Sequence, residues 1–296
     1  MSGSLCFNVS ISDDTCSIRV TDVIRNTTEI VNVNKQILSF TTTDSHVFVL
    51  TEDAVLSLKL GALRDIPLTA SLDISCLDPF KFKSDFAVSV VVQNATIDKV
   101  EQYRGISTSN ILLVSTHSRV FLIDQRGEES QRMYRIFDES DPSEAMQLQL
   151  PESMGRISKI SGGADHILAL TDVGRVWAMG TGSHGELGVG VVCSSPTEFV
   201  ECDLPDDLII EDIATGAWHS LAITDSKDVY VWGWNKEGQL GEDQIEKCVY
   251  TPEPLEIDDI IAIDARECST VLTTKNETGS VNKIMCGCNL IFDEDD

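Results

Sequence analysis

The sequence has 296 residues, of which 48 are acidic and 22 basic, giving a formal net charge of −26 at pH 7. Such a chain repels nucleic-acid phosphates and carries no dense cluster of Lys and Arg, so we predict no direct nucleic-acid binding. No apolar run approaches the roughly 18 residues of a membrane-spanning helix, and no membrane association is expected.

The nine cysteines are irregularly spaced and include no CxxC pair. This pattern favours reduced thiols in the cytosol or nucleus over a disulfide framework. Cys286 and Cys288 are two residues apart in a predicted strand, so their side chains are expected on opposite faces, which argues against a shared metal site. The first residues have no basic n-region and no apolar h-region, so we expect no signal peptide.

Short strand-like segments separated by polar turns make up the first part of the chain. Residues 5–11 and 17–23 are predicted strands that pair with the C-terminal end, because a closed ring of sheets must hide its first and last edges. Residues 37–58 and 86–124 are two weakly patterned sheet units. Within the second unit, residues 86–92 are a predicted strand.

Residues 125–153 are polar and charged and show no regular apolar period, which predicts a long loop. Two interpretations stay open. The loop is either a solvated linker, or its first part, residues 125–140, is a docking or modification segment. The side chains that favour the second interpretation are Arg126, Arg132, Tyr134 and Arg135.

An internal repeat follows. Residues 157–188 and 210–241 align without a gap at an offset of 53, with 14 of 32 positions identical. Each copy contains three short strands with a His at the start of the second, a Thr-Asp turn and a Gly-rich turn, a pattern typical of one blade of a β-propeller. The identical positions with a predicted structural role are Gly163, His166, Gly180 and Gly185, and their counterparts Gly216, His219, Gly233 and Gly238.

Weaker copies flank this pair. Residues 260–291 match it with Arg266 in place of the first Gly and Ser269 in place of the His. Residues 109–124 match the first copy at an offset of 56, with Asn110 in place of the His. The chain is therefore predicted to be all-β, a single propeller domain of five to seven blades built from degenerate repeats of about 50 residues.

The stretches GGADHILALTDVGRVWAMGTGSHGELG and TGAWHSLAITDSKDVYVWGWNKEGQLG resemble the regulator of chromosome condensation repeat. That family of seven-bladed propellers includes the exchange factor of the nuclear GTPase Ran, whose basic N-terminal tail this chain lacks. Residues 213–240 and the segment MYRIFDES at 133–140 are similar to a small member that partners a JmjC-type histone demethylase or protein hydroxylase. The resemblance implies seven blades, a location in the nucleus with the cytoplasm as the alternative, and a JmjC-domain oxygenase as partner.

The motifs in this sequence that could indicate a ligand site are better explained by structural roles. The GxGxxG match at 180–185 has no helix pattern after it and loses a glycine in the second copy, so no nucleotide site is predicted. His166 and His219 occupy equivalent positions of different blades, too far apart to share a metal, and are predicted to tie neighbouring backbone. No catalytic triad, Walker A or HExxH motif is present. We therefore predict no enzyme activity, no cofactor and no metal.

Two residues are predicted partner contacts in the strong repeats. His184 lies on an exposed turn, and Trp234 follows the third strand of the second copy. The other tryptophans are expected to pack between blades. The predicted function is a non-catalytic, chromatin-associated scaffold, whose acidity is consistent with solubility or with attraction to histones or other basic proteins. The alternative is a guanine-nucleotide exchange factor for a Ran-type GTPase, although no insertion stands out as the wedge that such factors use.

Overall fold

The computed structural model describes residues 7–11, 16–22, 27–33, 35–51, 55–59, 78–79, 111–125, 131–140, 146–241, 247–276 and 279–288. Within these ranges the chain forms strands and turns, and no helix is present that could cross a membrane. The chain divides into two compact units, Met1–Gln147 and Leu148–Asp296. The single domain predicted over residues 1–296 stays a prediction.

The described residues form six antiparallel sheets, in which strands adjacent in sequence are adjacent in space. The all-β prediction is confirmed, and six lies within the predicted five to seven blades. Sheet 1 contains β1 (Phe7–Ile11), β2 (Ser17–Asp22) and β3 (Thr27–Asn32); sheet 2 contains β4 (Ile37–Thr42), β5 (His46–Thr51), β6 (Val55–Lys59) and β7 (Asp78–Pro79); sheet 3 contains β8 (Ile111–Ser115), β9 (Arg119–Asp124), β10 (Arg132–Asp138) and β11 (Met146–Leu148). Sheet 4 contains β12 (Ile157–Gly162), β13 (His166–Thr171), β14 (Val176–Gly182) and β15 (Cys193–Glu201); sheet 5 contains β16 (Ile210–Thr215), β17 (His219–Thr224), β18 (Val229–Trp234) and β19 (Cys248–Leu255); sheet 6 contains β20 (Ile260–Arg266), β21 (Ser269–Lys275) and β22 (Val281–Gly287).

Burial explains the composition of the second strands. Every residue of β13 and of β17 is buried, so both faces of each strand pack against protein. A strand buried on both sides needs a nearly continuous apolar run, as in HILALT and HSLAIT. One hydrophobic core links sheets 4, 5 and 6 through residues such as Leu168, Trp232 and Leu272.

One corner recurs in five sheets, where the start of the second strand pairs with the end of the third. In sheets 4 and 5 this corner joins a His to a Gly, and in the others the residue types differ. The pairs are His46–Lys59, Arg119–Asp138, His166–Gly180, His219–Gly233 and Ser269–Gly287.

The strand pairing at this corner shows that the predicted alignment of sheet 3 with the repeat is wrong. Arg119 occupies the position of the repeat His, so β8 and β9 are the first two strands of this sheet rather than the second and third. The backbone turn agrees, because Thr116 N donates to Arg119 O at 2.9 Å, as Gly163 N does to His166 O at 2.8 Å. Asn110, predicted to replace the His, lies outside the described residues.

The loop predicted over 125–153 is wrong for two segments. Arg132–Asp138 is strand β10, paired along its length with β9, and Met146–Leu148 is strand β11. The side chain of Tyr134 is only 2% exposed and belongs to the core of the first unit, whereas Arg132 is exposed. Residues 126–130 and 141–145 lie outside the described part of the chain.

The predicted N-terminal strands form one sheet together with β3, since β1 pairs with β2 and β2 with β3. The last residues of the chain, 289–296, with which they were predicted to pair, lie outside the described residues, so that pairing stays a prediction. The predicted strand at 86–92 lies outside the described residues. The weak units predicted at 37–58 and 260–291 correspond to sheet 2 and sheet 6.

Sheet 3 replaces the His–Gly corner with an ionic network. The carboxylate of Asp138, 5% exposed, accepts hydrogen bonds from Arg119 Nε at 3.1 Å and from the amide and hydroxyl of Ser140 at 3.0 and 2.6 Å. Arg135 Nη1 lies 3.2 Å from the same carboxylate. Burial acts to raise the pKa of Asp138, but the hydrogen bonds from Ser140 and Arg119 outweigh it and hold the pKa below its ordinary value.

Replacing Asp138 with asparagine is expected to lower the free energy of unfolding by about 2 kcal/mol, because two partly buried guanidinium groups lose their counter-charge. Urea unfolding at neutral pH measures this change. Asp206→Asn is the matched control, since Asp206 is 98% exposed and its pair with Arg175 lies in solvent; a change within about 0.5 kcal/mol is expected there. Equal effects of the two substitutions would contradict the network.

Candidate functional site

In sheets 4 and 5, a glycine at the end of the third strand lets two loops approach each other closely. These glycines are Gly180 and Gly233. Gly233 has a φ of 103°, and a Cβ there would lie 2.7 Å from the carbonyl oxygen of Trp218. A glycine is therefore needed for both conformation and close approach. As a result Trp234 N donates to Trp218 O at 2.8 Å, as Thr181 N does to Asp165 O in sheet 4.

The repeat histidines connect neighbouring sheets. His166 Nε2 lies 3.0 Å from Ser220 Oγ, and His219 Nε2 lies 2.9 Å from Thr270 Oγ1. Their partners are thus hydroxyls of the next sheet rather than the backbone that we predicted. Burial lowers the pKa of His219 from 6.5 to about 4, so the ring is neutral near pH 7. These contacts hold the sheets together and leave the rings no access to a ligand.

The turn after β14 is anchored on sheet 5 by Glu186, which is fully buried. Its carboxylate accepts a hydrogen bond from His184 N at 2.7 Å and lies 3.1 Å from His184 Nδ1. Its backbone oxygen accepts from Trp232 Nε1 and from Ser220 Oγ, both at 2.9 Å. The position of the His184 ring is therefore set by a buried glutamate that is itself hydrogen-bonded to sheet 5.

Three rings meet at this point. The His184 ring stacks on Trp234 with centroids 4.8 Å apart, and it meets Trp218 edge-on at 5.8 Å. Trp218 and Trp234 are perpendicular, at 88° and 6.5 Å. All three side chains are half-buried, with 34% of the His184 side chain exposed. We call His184, Trp218 and Trp234 the aromatic cluster.

The structure brings together the two residues that the strong repeats singled out, His184 and Trp234. Sequence reasoning missed Trp218, which was expected to pack between blades as the buried Trp232 does. A signal was available, since Trp218 directly precedes the repeat His219, where the first copy has Asp165. The other predicted contacts, Arg132, Tyr134 and Arg135, lie in β10 and are not part of this cluster.

The same corner of sheet 6 carries a disulfide. Cys268 and Cys288 are bonded, with Cα atoms 5.7 Å apart, so the expectation of reduced thiols is wrong for this pair. The other described cysteines are outside this disulfide: Cys16, Cys193, Cys202, Cys248 and Cys286. In the ranges that the structure describes, no three His, Cys, Asp or Glu side chains are grouped so that they could hold a metal ion.

The region around the aromatic cluster matches a known repeat family. Two family models, both described as regulator of chromosome condensation (RCC1) repeat, match this chain. One matches residues 157–186 and 210–239, and the other matches residues 173–223 and 228–265. Together these matches include all three members of the aromatic cluster.

A curated relative and two solved structures extend the comparison. The human RCC1 domain-containing protein 1 is 36% identical over 85 residues, which cover 29% of this chain and 22% of the relative. The match thus spans about a fifth of that relative's length. Prp20p from Saccharomyces cerevisiae has a TM-score of 0.63 at 15% identity, covering 95% of this chain and 70% of that one. Human WBSCR16 has a TM-score of 0.61 at 15% identity, covering 86% and 63%. These likenesses confirm the predicted β-propeller fold.

Proposed function

We propose that this chain, whose residues 157–265 match RCC1 repeats, is a non-catalytic scaffold that binds a protein partner through its aromatic cluster. The observation that carries the proposal is that His184, Trp218 and Trp234 pack together as half-exposed rings. The turn that carries His184 is held in place by the buried Glu186. Exposed aromatic side chains are the usual anchors of protein interfaces. The partner that we propose is a JmjC-type histone demethylase or protein hydroxylase, and the proposed location is the nucleus.

The fold does not require the cluster. Sheet 4 forms the same corner, with the same backbone hydrogen bond at 2.8 Å, from Asp165 and Thr181 in place of Trp218 and Trp234. Two large aromatic side chains at a position where small or polar ones suffice indicate a role other than stability. They are also held in place before binding, so little side-chain entropy is lost when a partner docks.

The partner class rests on resemblance. Residues 213–240, which contain Trp218 and Trp234, are similar to a small family member that partners a JmjC oxygenase, and the matched human relative shares the repeat. The structure of Prp20p was determined together with its binding properties to Gsp1p and histones. A platform that binds chromatin proteins is consistent with both comparisons.

Replacing Trp234 with alanine is expected to weaken binding of a purified JmjC oxygenase from the same organism at least tenfold, because an interface anchor is lost. Calorimetric titration of the full chain measures this affinity. Val173→Ala is the matched control, since Val173 is 65% exposed and lies in the β13–β14 turn, at the other end of sheet 4. Urea unfolding of each variant shows whether the fold is kept.

Three results from this titration and a parallel nucleotide-release assay would each test a different part of the proposal. Failure of the native chain to bind the oxygenase would reject the partner class. Binding that survives both Trp234→Ala and Trp218→Ala would reject the cluster as the contact surface. Accelerated nucleotide release from a Ran-type GTPase, measured in parallel, would favour the exchange-factor alternative over the scaffold.

A further inference from the structure

The aromatic cluster already holds one cation. The ammonium group of Lys236 lies over the Trp234 ring, 5.6 Å from its centroid. Indole is the best aromatic acceptor of a cation, and contacts within about 6 Å are attractive. The electron-rich ring of Trp234 therefore already makes a cation–π contact with a positively charged side chain.

Lys236 is held only weakly in this place. Its side chain is 59% exposed, and its nearest ion-pair partner is Glu237 at 3.3 Å, itself 44% exposed. Ion pairs between exposed side chains contribute about 1 kcal/mol or less. A cation from another molecule can therefore displace Lys236 from the ring, and the Glu237 carboxylate that now contacts Lys236 is then available to the incoming cation.

The shape of the site favours arginine over lysine. Trp234 is held between His184, which stacks on it, and Trp218, which is perpendicular to it, so the indole plane is fixed. A guanidinium group is flat and weakly hydrated, stacks on an indole plane, and can donate two parallel hydrogen bonds to one carboxylate. An ammonium group offers neither property.

The charge of the whole chain acts in the same direction. With 48 acidic and 22 basic residues, the protein attracts basic segments over the range of the Debye length. We propose that the aromatic cluster binds an arginine side chain in a basic segment of the partner protein, and that Lys236 occupies this position in the free chain. This inference rests on the proposed function and specifies the chemistry of the partner.

The test uses the full chain and a glycine–serine peptide rich in arginine, with a matched peptide in which lysine replaces each arginine. Tryptophan fluorescence follows binding. The arginine peptide is expected to bind several-fold more tightly than the lysine peptide, and Trp234→Ala is expected to weaken its binding about tenfold. Lys236→Ala is expected to tighten binding several-fold, because the internal competitor is gone.

Lys227→Ala is the control for net charge. Lys227 is an exposed lysine paired with Glu211 in the turn after β17, so its removal changes the charge by the same amount without touching the cluster. Equal gains from Lys236→Ala and Lys227→Ala would overturn the proposal, as would equal affinity for the two peptides. If the native chain binds no arginine peptide while Trp234→Ala weakens oxygenase binding as predicted, the arginine site is rejected and the scaffold proposal stands.

Discussion

Replacing Gly216 with alanine is expected to lower the free energy of unfolding by about 3 kcal/mol. A Cβ at this position would overlap the ring of His219 and lie 2.7 Å from the backbone oxygen of Glu267. The ring cannot move aside without losing its hydrogen bond to Thr270. Urea unfolding of the native chain and the variant measures the difference.

A second variant separates contact from backbone strain. Gly238 has a φ of 80°, but a Cβ there meets nothing within 4 Å, so Gly238→Ala tests conformational strain alone. We expect about 1 kcal/mol for this variant. A cost for Gly216→Ala no larger than that of Gly238→Ala would contradict the predicted overlap with His219.

Sheet 6 suggests how the loss at Gly216 can be reduced. There Arg266 and Ser269 replace the Gly and the His, so a side chain at the first position coexists with a small one at the second. The double variant Gly216→Ala/His219→Ser is therefore expected to lose less than the sum of the two single variants. Strict additivity would show that the His219 ring is not the cause.

Stability is expected to fall by about 3 kcal/mol between pH 6.5 and pH 4 through His219 alone. Burial lowers the pKa of this ring to about 4 in the folded chain, whereas the unfolded chain binds the proton near the ordinary value of 6.5. Below pH 6.5 the unfolded state therefore gains protons that the folded state does not, and unfolding is favoured. Above pH 6.5 both states are neutral and this contribution vanishes.

The difference between the native chain and His219→Asn isolates this effect, because the many carboxylates titrate equally in both proteins. At pH 7 the variant is expected to be less stable, since it loses the packing of the ring and its hydrogen bond to Thr270. Between pH 7 and pH 4 that difference is expected to shrink by about 3 kcal/mol. Parallel pH curves for the two proteins would show that His219 is not buried as a neutral ring.

The strands of sheets 4 and 5 could be predicted from sequence because their signals are local. Each copy of the repeat, at 157–188 and 210–241, contains the apolar runs, the turn residues and the glycines of three successive strands. Strands β12–β14 and β16–β18 lie where the repeat places them. Strand β10 was missed because its apolar residues come in two adjacent pairs separated by Arg135, within a charged stretch, and do not follow the two-residue alternation of a strand. Its pairing with β9 and β11 identifies it as a strand.

The register of sheet 3 shows a second limit. The segment ILLVSTHSRVFLID at 111–124 matches the second and third strands of the repeat, but in the structure it forms the first and second. Both strands of the segment are short apolar runs joined by a polar turn, and either hairpin of a meander can have that pattern, so the pattern alone does not say which hairpin the segment forms. The pairing of Arg119 with Asp138 identifies the correct one.

The sequence by itself determined the strand-and-turn repeat, the glycines with left-handed backbone, and two of the three residues in the aromatic cluster. The tertiary structure decided which side chains meet: His219 with Thr270, Arg119 with Asp138, and Trp218 with the rings of His184 and Trp234. Turn and strand preferences depend on neighbours in the chain, so they can be read locally. Contacts between residues 16 to 51 positions apart depend on how sheets pair and pack, which no local pattern specifies.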